Sequence, residues 1–534
     1  MRRTLTLPSH GVPGEGKEDH ETGNKLLPVF MRDHVLIYVN GHRHELRGDR
    51  AFQTLSNFLR YDLAITGTKV VCAEGDCGSC AVLVGRVTDH LAASLATRDA
   101  ASETLTYRAV TSCIQFCYQL DATHVVTVEG LRPDRTLNPV QDAMVRCQGT
   151  QCGFCTPGFV VAMCGLLEER QNLDENTLRA GLIGHLCRCT GYESIIKAGL
   201  DVSGSDTKRL ADLYPAQPLA AALREHAGQA VHVVAGAREF FKPVTVAQAV
   251  GFKSSHPGCV PIAGATDVGV QVNKGTRDPA CVLSLSGLSE LRGIAMTDGV
   301  LTVGALATLA DCERRIEPLD RELAKMFYRH GSPLIRNAGT LAGNIANASP
   351  IGDSMPALFV LNAEVELTGR SGSRRVNMND FYTGYRKTVM AADELITRVI
   401  IPLPKRDGAE HLRLYKVSKR HDLDISTFTA AFWLRRENGV IGEIRIAYGG
   451  VGPVIYRLRK TEAALTGKPL NESEIESACE IARAEITPIA DVRGDAEYRF
   501  QLAENILRKF YFDVTGVETY DRVTTTANEN GNDA

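Results

Sequence analysis

The residues that could do chemistry are cysteines. Eleven of the fifteen lie between Cys72 and Cys189. The first group reads Cys72-x4-Cys77-x2-Cys80, with Cys113 as the fourth member. A C-x4-C-x2-C…C spacing is the plant-type [2Fe–2S] pattern. The second group is Cys152-Gly-Phe-Cys155, answered by Cys187-Arg-Cys189. Four soft thiolates converging from two short pairs suit iron or zinc. Taken alone the second group fits a zinc ribbon as well, and the iron–sulfur pattern upstream tips it to iron. Cys113 is preferred to Cys117 because it directly follows a strand. Cys117 stands among Phe116, Tyr118 and Leu120 and reads as a packed thiol. Cys147 and Cys164 read likewise as small buried apolar residues.

These groups need elements to hold them. Val35 to Val39, Asn40-Gly41 and His44 to Leu46 predict a β-hairpin with an Asn-Gly turn. Leu55 to Tyr61 predicts a short helix with Leu55, Phe58 and Leu59 on one face. Cys72 to Cys80 is then a loop whose glycines allow backbone N–H groups to face sulfur. Strands follow at Ala81 to Val84, Tyr107 to Cys113 and Val125 to Val128, with a surface excursion over 91–104. Strands, one helix and a cysteine loop predict a ferredoxin-like β-grasp. From Pro139 the periodicity turns helical: Val140 to Arg146, Phe159 to Arg170 and Glu175 to Ile183. Both cysteine pairs of the second group fall at helix ends, in a small helical domain.

Beyond a polar linker from Ser203, helix and strand signals alternate. Val260 to Asp267 is an apolar run entering a small-residue turn, and Arg336 to Asn344 is a second such turn. Backbone amides in Ala263-Gly-Ala-Thr-Asp-Val-Gly269 could bind a pyrophosphate. Pro350-Ile-Gly-Asp353 follows the second turn, and Asp353 could bond a flavin or ribose or cap a helix. Strands are expected at Ala363 to Leu367 and Leu395 to Pro402. An α+β region then has strands Phe428 to Leu434 and Glu443 to Tyr448 and helices Glu472 to Ala484 and Glu497 to Phe510.

At 534 residues and 44% hydrophobic content the chain is long enough for three or four domains. A net charge of −3 argues for neither nucleic acid nor an anionic membrane surface. Paired cysteine motifs in a long chain favour metal in a reducing compartment over a disulfide framework. No apolar run approaches a membrane span. Met1-Arg-Arg is followed by Pro8, Gly11 and Pro13 where an export signal needs an apolar segment, so a cytoplasmic location is expected.

Four stretches together resemble the iron–sulfur/FAD subunit of the molybdenum hydroxylases, and within them the bacterial xanthine dehydrogenases. They are Gln151-Cys-Gly-Phe-Cys-Thr-Pro-Gly158, Cys187-Arg-Cys-Thr-Gly-Tyr192, Arg336-Asn-Ala-Gly-Thr340 and Asn344 to Asp353. The resemblance runs from about residue 33 to 515. It implies an α+β multidomain chain: a disordered tail 1–31, a ferredoxin-like [2Fe–2S] domain 32–130, a helical [2Fe–2S] domain 131–202 and a linker 203–231. A vanillyl-alcohol-oxidase-type FAD-binding domain over 232–405 follows. Then come a CO-dehydrogenase-flavoprotein-like domain 406–520 and a tail 521–534.

By the same resemblance, Pro261, Ile262, Ala263, Gly264, Ala265, Thr266, Asp267 and Val268 hold the FAD pyrophosphate. Thr340, Asn344, Asp353, Ile396 and Lys416 contact FAD. Gln151 reaches toward a molybdenum–pterin cofactor on a large partner subunit, in a heterodimer or a dimer of heterodimers. Catalysis at molybdenum is then the partner's. This chain passes electrons through two [2Fe–2S] clusters and FAD to NAD+, supporting hydroxylation of hypoxanthine and xanthine to urate. A different N-heterocycle or aldehyde as substrate, a stand-alone diaphorase and a zinc-binding interaction module are the alternatives. His330 and His421 stand where similar bacterial chains often carry Phe. The resemblance sets both near the flavin, where an imidazole could tune its potential. Asp422 and Asp424 with Lys419 and Arg420 form a charged loop beside Lys416, read as solvated.

Overall fold

The computed structural model describes residues 31–87, 105–132, 136–170, 172–202, 207–405 and 408–516. Of the expected tail 1–31 all but Met31, and the tail 521–534 and the excursion at 91–104, lie outside the described residues.

The chain opens with β1 (Met31–Arg32), then β2 (Val35–Val39) and β3 (His42–Leu46). Asn40 and Gly41 both take positive φ, the backbone that a two-residue hairpin turn demands. With β4 (Ala81–Val87), β5 (Leu105–Thr111) and β6 (Thr123–Val126) they form a sheet of order β3-β2-β6-β4-β5. Only β2 and β6 run parallel in it. A helical segment across Leu55–Asp62 buries Leu55, Phe58 and Leu59 against Val35, Ile37, Val82 and Val125. A mixed sheet with one helix laid across it is the expected β-grasp.

The next region is helical: Pro139–Arg146, Thr156–Glu169, Glu175–Gly181 and Glu193–Leu200. Asn138 begins it. Its side chain accepts from the N–H of Gln141 at 2.8 Å and Pro139 occupies the first helical position, where a missing N–H costs nothing. Phe159, Val160 and Met163 pack on Leu178 and Ile195 to make the local core.

The expected linker over 203–231 is corrected in part. Ala216–Ala227 is a helix that buries Leu219, Ala220 and Leu223 and packs on β4. The linker character predicted from polarity at 203–208 does not extend over it.

The following domain holds two sheets. The first contains β7 (Ala230–Ala235), β8 (Arg238–Lys242), β9 (Val260–Ile262) and β10 (Cys281–Ser284). Its order is β1-β7-β8-β10-β9, so β1, expected at the end of a tail, lies parallel to β7 instead. The second contains β11 (Ile294–Thr297), β12 (Val300–Gly304), β13 (Glu364–Gly369) and β14 (Gly372–Asn377). After a small hairpin of β15 (Tyr382–Gly384) and β16 (Lys387–Thr388), β17 (Leu395–Pro402) inserts between β12 and β13.

The last domain is a four-stranded antiparallel sheet of β18 (Glu410–Val417), β19 (Phe428–Glu437), β20 (Val440–Gly449) and β21 (Tyr456–Arg457). The helices Glu472–Glu485 and Ala496–Thr515 complete it, Phe510 stacking on Phe432 at 4.4 Å. Seven consecutive residues of β19, Phe428 to Leu434, are buried, which marks a strand covered on both faces.

One buried ionic knot joins the β-grasp to the first sheet of the following domain. Asp121 takes Arg32 at 2.9 and 2.7 Å and Lys242 at 2.6 Å, and accepts the N–H of Leu36 at 2.9 Å. Burial alone would raise the Asp121 carboxyl; Lys242 and Arg32 outweigh it and hold it below the usual range. No described helix is long and apolar enough to cross a membrane.

Candidate redox centres

The first cysteine group converges at a buried spot. Cys77, Cys80 and Cys113 are 7%, 1% and 2% exposed, and Cys72 is half-buried. The thiols meet as Cys72 with Cys77 and Cys80 with Cys113, and Cys72 also touches Cys113. Contact with Cys113 and Cys77 holds Cys72 down, helped by the N–H groups of Glu74 and Asp76, the first at 3.4 Å. Cys113 is pushed up in turn by Cys72 and Cys80. Two glycines shape the loop. Gly75 and Gly78 have φ of +84° and +69°. A Cβ on Gly78 would also lie 2.5 Å from the His185 ring and 2.8 Å from the Gly184 carbonyl oxygen. Cys117 is apart from the four: it is fully buried in the sheet core with Phe116 and Tyr118, and burial pushes its thiol up.

The second group lies at the surface. Cys152 and Cys189 are exposed, Cys155 and Cys187 half-buried. Cys155 meets Cys187, and Cys152 meets Cys189. Cys155 caps the helix Thr156–Glu169, whose free N–H groups favour negative charge at that end. Burial and the neighbouring Cys187 push its thiol up to about 12. Cys187 is held down despite burial by the Thr190 hydroxyl, which donates to its sulfur at 3.2 Å. Cys164 is buried near Asn138, and Cys147 is half-buried against the helical core. Among the described residues no three His, Cys, Asp or Glu side chains form a single-ion site. The buried set meets as a chain of contacts, Cys77–Cys72–Cys113–Cys80, and the exposed set as two pairs, with backbone N–H groups turned toward sulfur in both. That arrangement fits a two-iron cluster with two thiolates on each iron.

The two sets are neighbours through the backbone. The N–H of Leu186 donates to the carbonyl of Cys77 at 3.1 Å, and Leu186 precedes Cys187. His185 fills the seam, its ring 5.2 Å from that of Phe159. Burial lowers its imidazole to about 4.

On its other side the buried set touches the small-residue turns. Gln115 and Gln119, just beyond Cys113, donate side-chain N–H groups to the carbonyls of Gly264 at 2.8 Å and Ala263 at 2.9 Å. Asn273 bonds the carbonyls of Ala73 and Cys113 at 2.8 and 2.9 Å. The stretch Pro261 to Val268 leaves β9, with Ala265 at φ +56°, and enters the helix Val268–Asn273 behind Asp267. A Cβ on Gly264 would lie 2.0 Å from the carbonyl oxygen of Ala338, so the two small-residue turns are pressed together. Thr340 caps the helix Leu341–Asn347, accepting from Gly343 N–H at 3.0 Å. Asn344 accepts from Ser354 at 2.7 Å. Ile396 is buried in β17 beside that helix.

Asp353 and Lys416 form a half-buried ion pair at 2.7 Å, with Ser426 donating to the second carboxylate oxygen at 2.5 Å. His330 lies 4.0 Å from that carboxylate, and burial lowers its pKa. His421 does not join them; it is 72% exposed and pairs with Asp422 at 3.0 Å. Arg420 and Asp424 in that loop pair with each other, as a solvated loop does. Gln151 is exposed beside Cys152. Gln115, Gln119, Asn273 and Ser426 carry no short-range spacing signal. Their partners lie 73 to 200 residues away in sequence.

Residues 127–200 match a [2Fe-2S] binding domain, residues 232–404 the FAD binding domain in molybdopterin dehydrogenase, and residues 413–514 the CO dehydrogenase flavoprotein C-terminal domain. Xanthine dehydrogenase 1 of Arabidopsis thaliana is 28% identical over 569 residues, covering 93% of this chain and 40% of the relative. Xanthine dehydrogenase of Emericella nidulans is 28% identical over 539 residues, covering 90% and 39%. Aldehyde oxidase 1 of Bos taurus is 27% identical over 541 residues, again covering 90% and 39%. The chain thus spans about two fifths of the length of these relatives. Reconstituted CO dehydrogenase from Oligotropha carboxidovorans aligns at a TM-score of 0.49 with 26% identity, covering 52% of this chain and 97% of that one. In its three matched domains and their order, the chain is similar to the iron–sulfur and flavin portion of the molybdenum hydroxylases.

Proposed function

We propose that the chain is the electron-transfer component of a xanthine dehydrogenase. It receives electrons from a molybdenum–pterin centre on a large partner subunit and delivers them to NAD+. The observation that carries this reading is the serial order of the sites. An exposed thiol set is one hydrogen bond, Leu186 to Cys77, from a buried set, and the buried set is bonded through Gln115 and Gln119 to the turn over 261–268. Cys72, Cys77, Cys80 and Cys113 would hold one [2Fe–2S] cluster and Cys152, Cys155, Cys187 and Cys189 the other. Bound flavin supplies the change from single electrons to a hydride pair. Residues 261–268, with Thr340, Asn344, Asp353, Ile396 and Lys416, would hold it.

The partner's place is supported by the exposed set's surroundings. Phe154, Leu186 and Tyr192 stand 47%, 44% and 38% exposed around the thiols, beside the exposed Gln151. Apolar side chains left at a redox terminus suit a protein partner. A second reading keeps the electron-transfer role and changes the substrate to an aldehyde or another N-heterocycle; the likeness to an aldehyde oxidase favours it. The test is purification of the tagged chain from its native host. A co-purifying molybdenum protein and NADH formation on adding xanthine are expected. A molybdenum partner that ignores xanthine and oxidises aldehydes would give the second reading, and no partner would sink both.

A further inference from the structure

Four of the fifteen cysteines follow both thiol sets in sequence, and two of them meet. Cys259 immediately precedes β9 and Cys281 opens β10, and their side chains are in hydrogen-bond contact. The register Val260 to Val282 and Pro261 to Leu283, continued back by one residue, sets them opposite each other at the head of two adjacent parallel strands. Opposed Cα atoms on neighbouring strands lie within the span a disulfide bridges. Around the pair the chain sets Glu239, whose carboxylate takes the Cys281 thiol at 3.9 Å and the two imidazoles of His232 at 2.7 Å and His256 at 3.7 Å. Cys259 is 5% exposed, and Cys281 is more open.

We propose that Cys259 and Cys281 are a reversible dithiol–disulfide pair, with Cys281 the attacking thiol and Cys259 the resolving one. The oxidant is a small-molecule disulfide of the glutathione class. Cys281 attacks one sulfur of that disulfide and expels a thiol, leaving a mixed disulfide. Cys259 then attacks the Cys281 sulfur and expels the second thiol. Two protein thiols are oxidised, one small disulfide is reduced to two thiols, and each protein proton ends on a leaving thiol.

Two further features bear on it. Burial pushes both protein thiols up, Cys281 to about 12, so neither thiolate is stabilised. Attack through a scarce thiolate makes the bond slow to form. The closed ring would also run from residue 259 to 281 and so enclose the whole 261–268 turn with the helix Val268–Asn273. It would fix the two strand starts that carry the candidate flavin turn.

The experiment uses the full chain with its cofactors, equilibrated in glutathione buffers of graded ratio, alkylated, digested and mapped by mass. The expected product is a Cys259–Cys281 linked peptide, lighter by two hydrogens and restored by dithiothreitol. In Cys259→Ser it is replaced by a glutathione adduct on Cys281. Cys281→Ser should leave Cys259 unmodified, because the open thiol acts first. Alkylation of both cysteines at every ratio in the native chain, with linking only after denaturation, would overturn the proposal. So would adducts on Cys259 in Cys281→Ser. Visible absorption of the clusters, followed in parallel, separates loss of iron from oxidation of the pair.

Discussion

The two thiol sets have the same number of cysteines and opposite settings. One is sealed between the β-grasp, the helical domain and the flavin-type domain. The other sits at the rim, with two of its four cysteines open to solvent. The difference is imposed by the elements that carry them. The loop of the buried set is held on three sides: by Asn273, by Leu186 and by Gly158, whose Cβ would lie 2.3 Å from the Gly78 carbonyl oxygen. The exposed set rests on one helix end and a turn. On the proposed reading, the set that meets a partner has to be reachable, and a relay between domains gains from rigid spacing and from excluded water.

Each contrast can be broken. The largest effect is expected for Cys113→Ala. It should abolish the paramagnetic signal of one cluster and also lower the melting temperature markedly, because the vacated pocket lies inside the molecule. Cys152→Ala should remove the other signal with little change in melting temperature. Equal thermal losses in the two variants would erase the contrast.

Next in size is the knot that fastens the buried set's domain. Asp121→Ala leaves Arg32 and Lys242 facing each other in a buried site. A loss of about 3–5 kcal/mol in denaturant unfolding is expected. A loss under about 1 kcal/mol would mean the knot is as weak as a surface pair.

A pH effect follows from His124, fully buried in the same domain. Its Nε2 accepts from Gly41 N–H at 3.0 Å, which requires a neutral ring, and Nδ1 lies 2.7 Å from the Tyr107 hydroxyl. Burial lowers its pKa to about 4. Since the unfolded ring titrates near 6.5, the unfolded chain binds more protons between those values. Stability from this residue is complete above about pH 6.5 and falls as pH drops toward 4, by about 3 kcal/mol in all. Denaturant melts at stepped pH should show that slope, and His124→Gln should flatten it.

The smallest effect is expected for Cys117→Ala. It should leave both cluster signals intact and cost about 1 kcal/mol by denaturant unfolding, as for a small core truncation. Loss of a signal would make Cys117 a ligand in place of Cys113.

Local chemistry made much of this readable in the sequence. The Asn-Gly turn forced the first hairpin, Pro139 behind Asn138 opened the first helix of the helical domain, and the cysteine spacings marked both sets. What escaped depends on distant partners. The helix Ala216–Ala227 was hidden because the polar opening at 203–208 suggested a longer linker, while its burial depends on β4. β1 joined a sheet whose other strands begin about 200 residues later, and a two-residue strand has no periodicity to detect. Gln115 and Gln119 look like ordinary polar residues until the 261–268 turn arrives to accept their bonds. His330 and His421 shared one expectation from sequence, yet only His330 stands near Asp353, because the loop of His421 is turned outward.

The most direct measurement is an anaerobic reductive titration of the purified chain, followed by electron paramagnetic resonance and flavin absorbance. The account predicts two distinct iron–sulfur signals and a bleached flavin band. One signal should be lost in Cys113→Ala and the other in Cys152→Ala. A colourless chain carrying zinc, or a single signal lost in both variants, would contradict it.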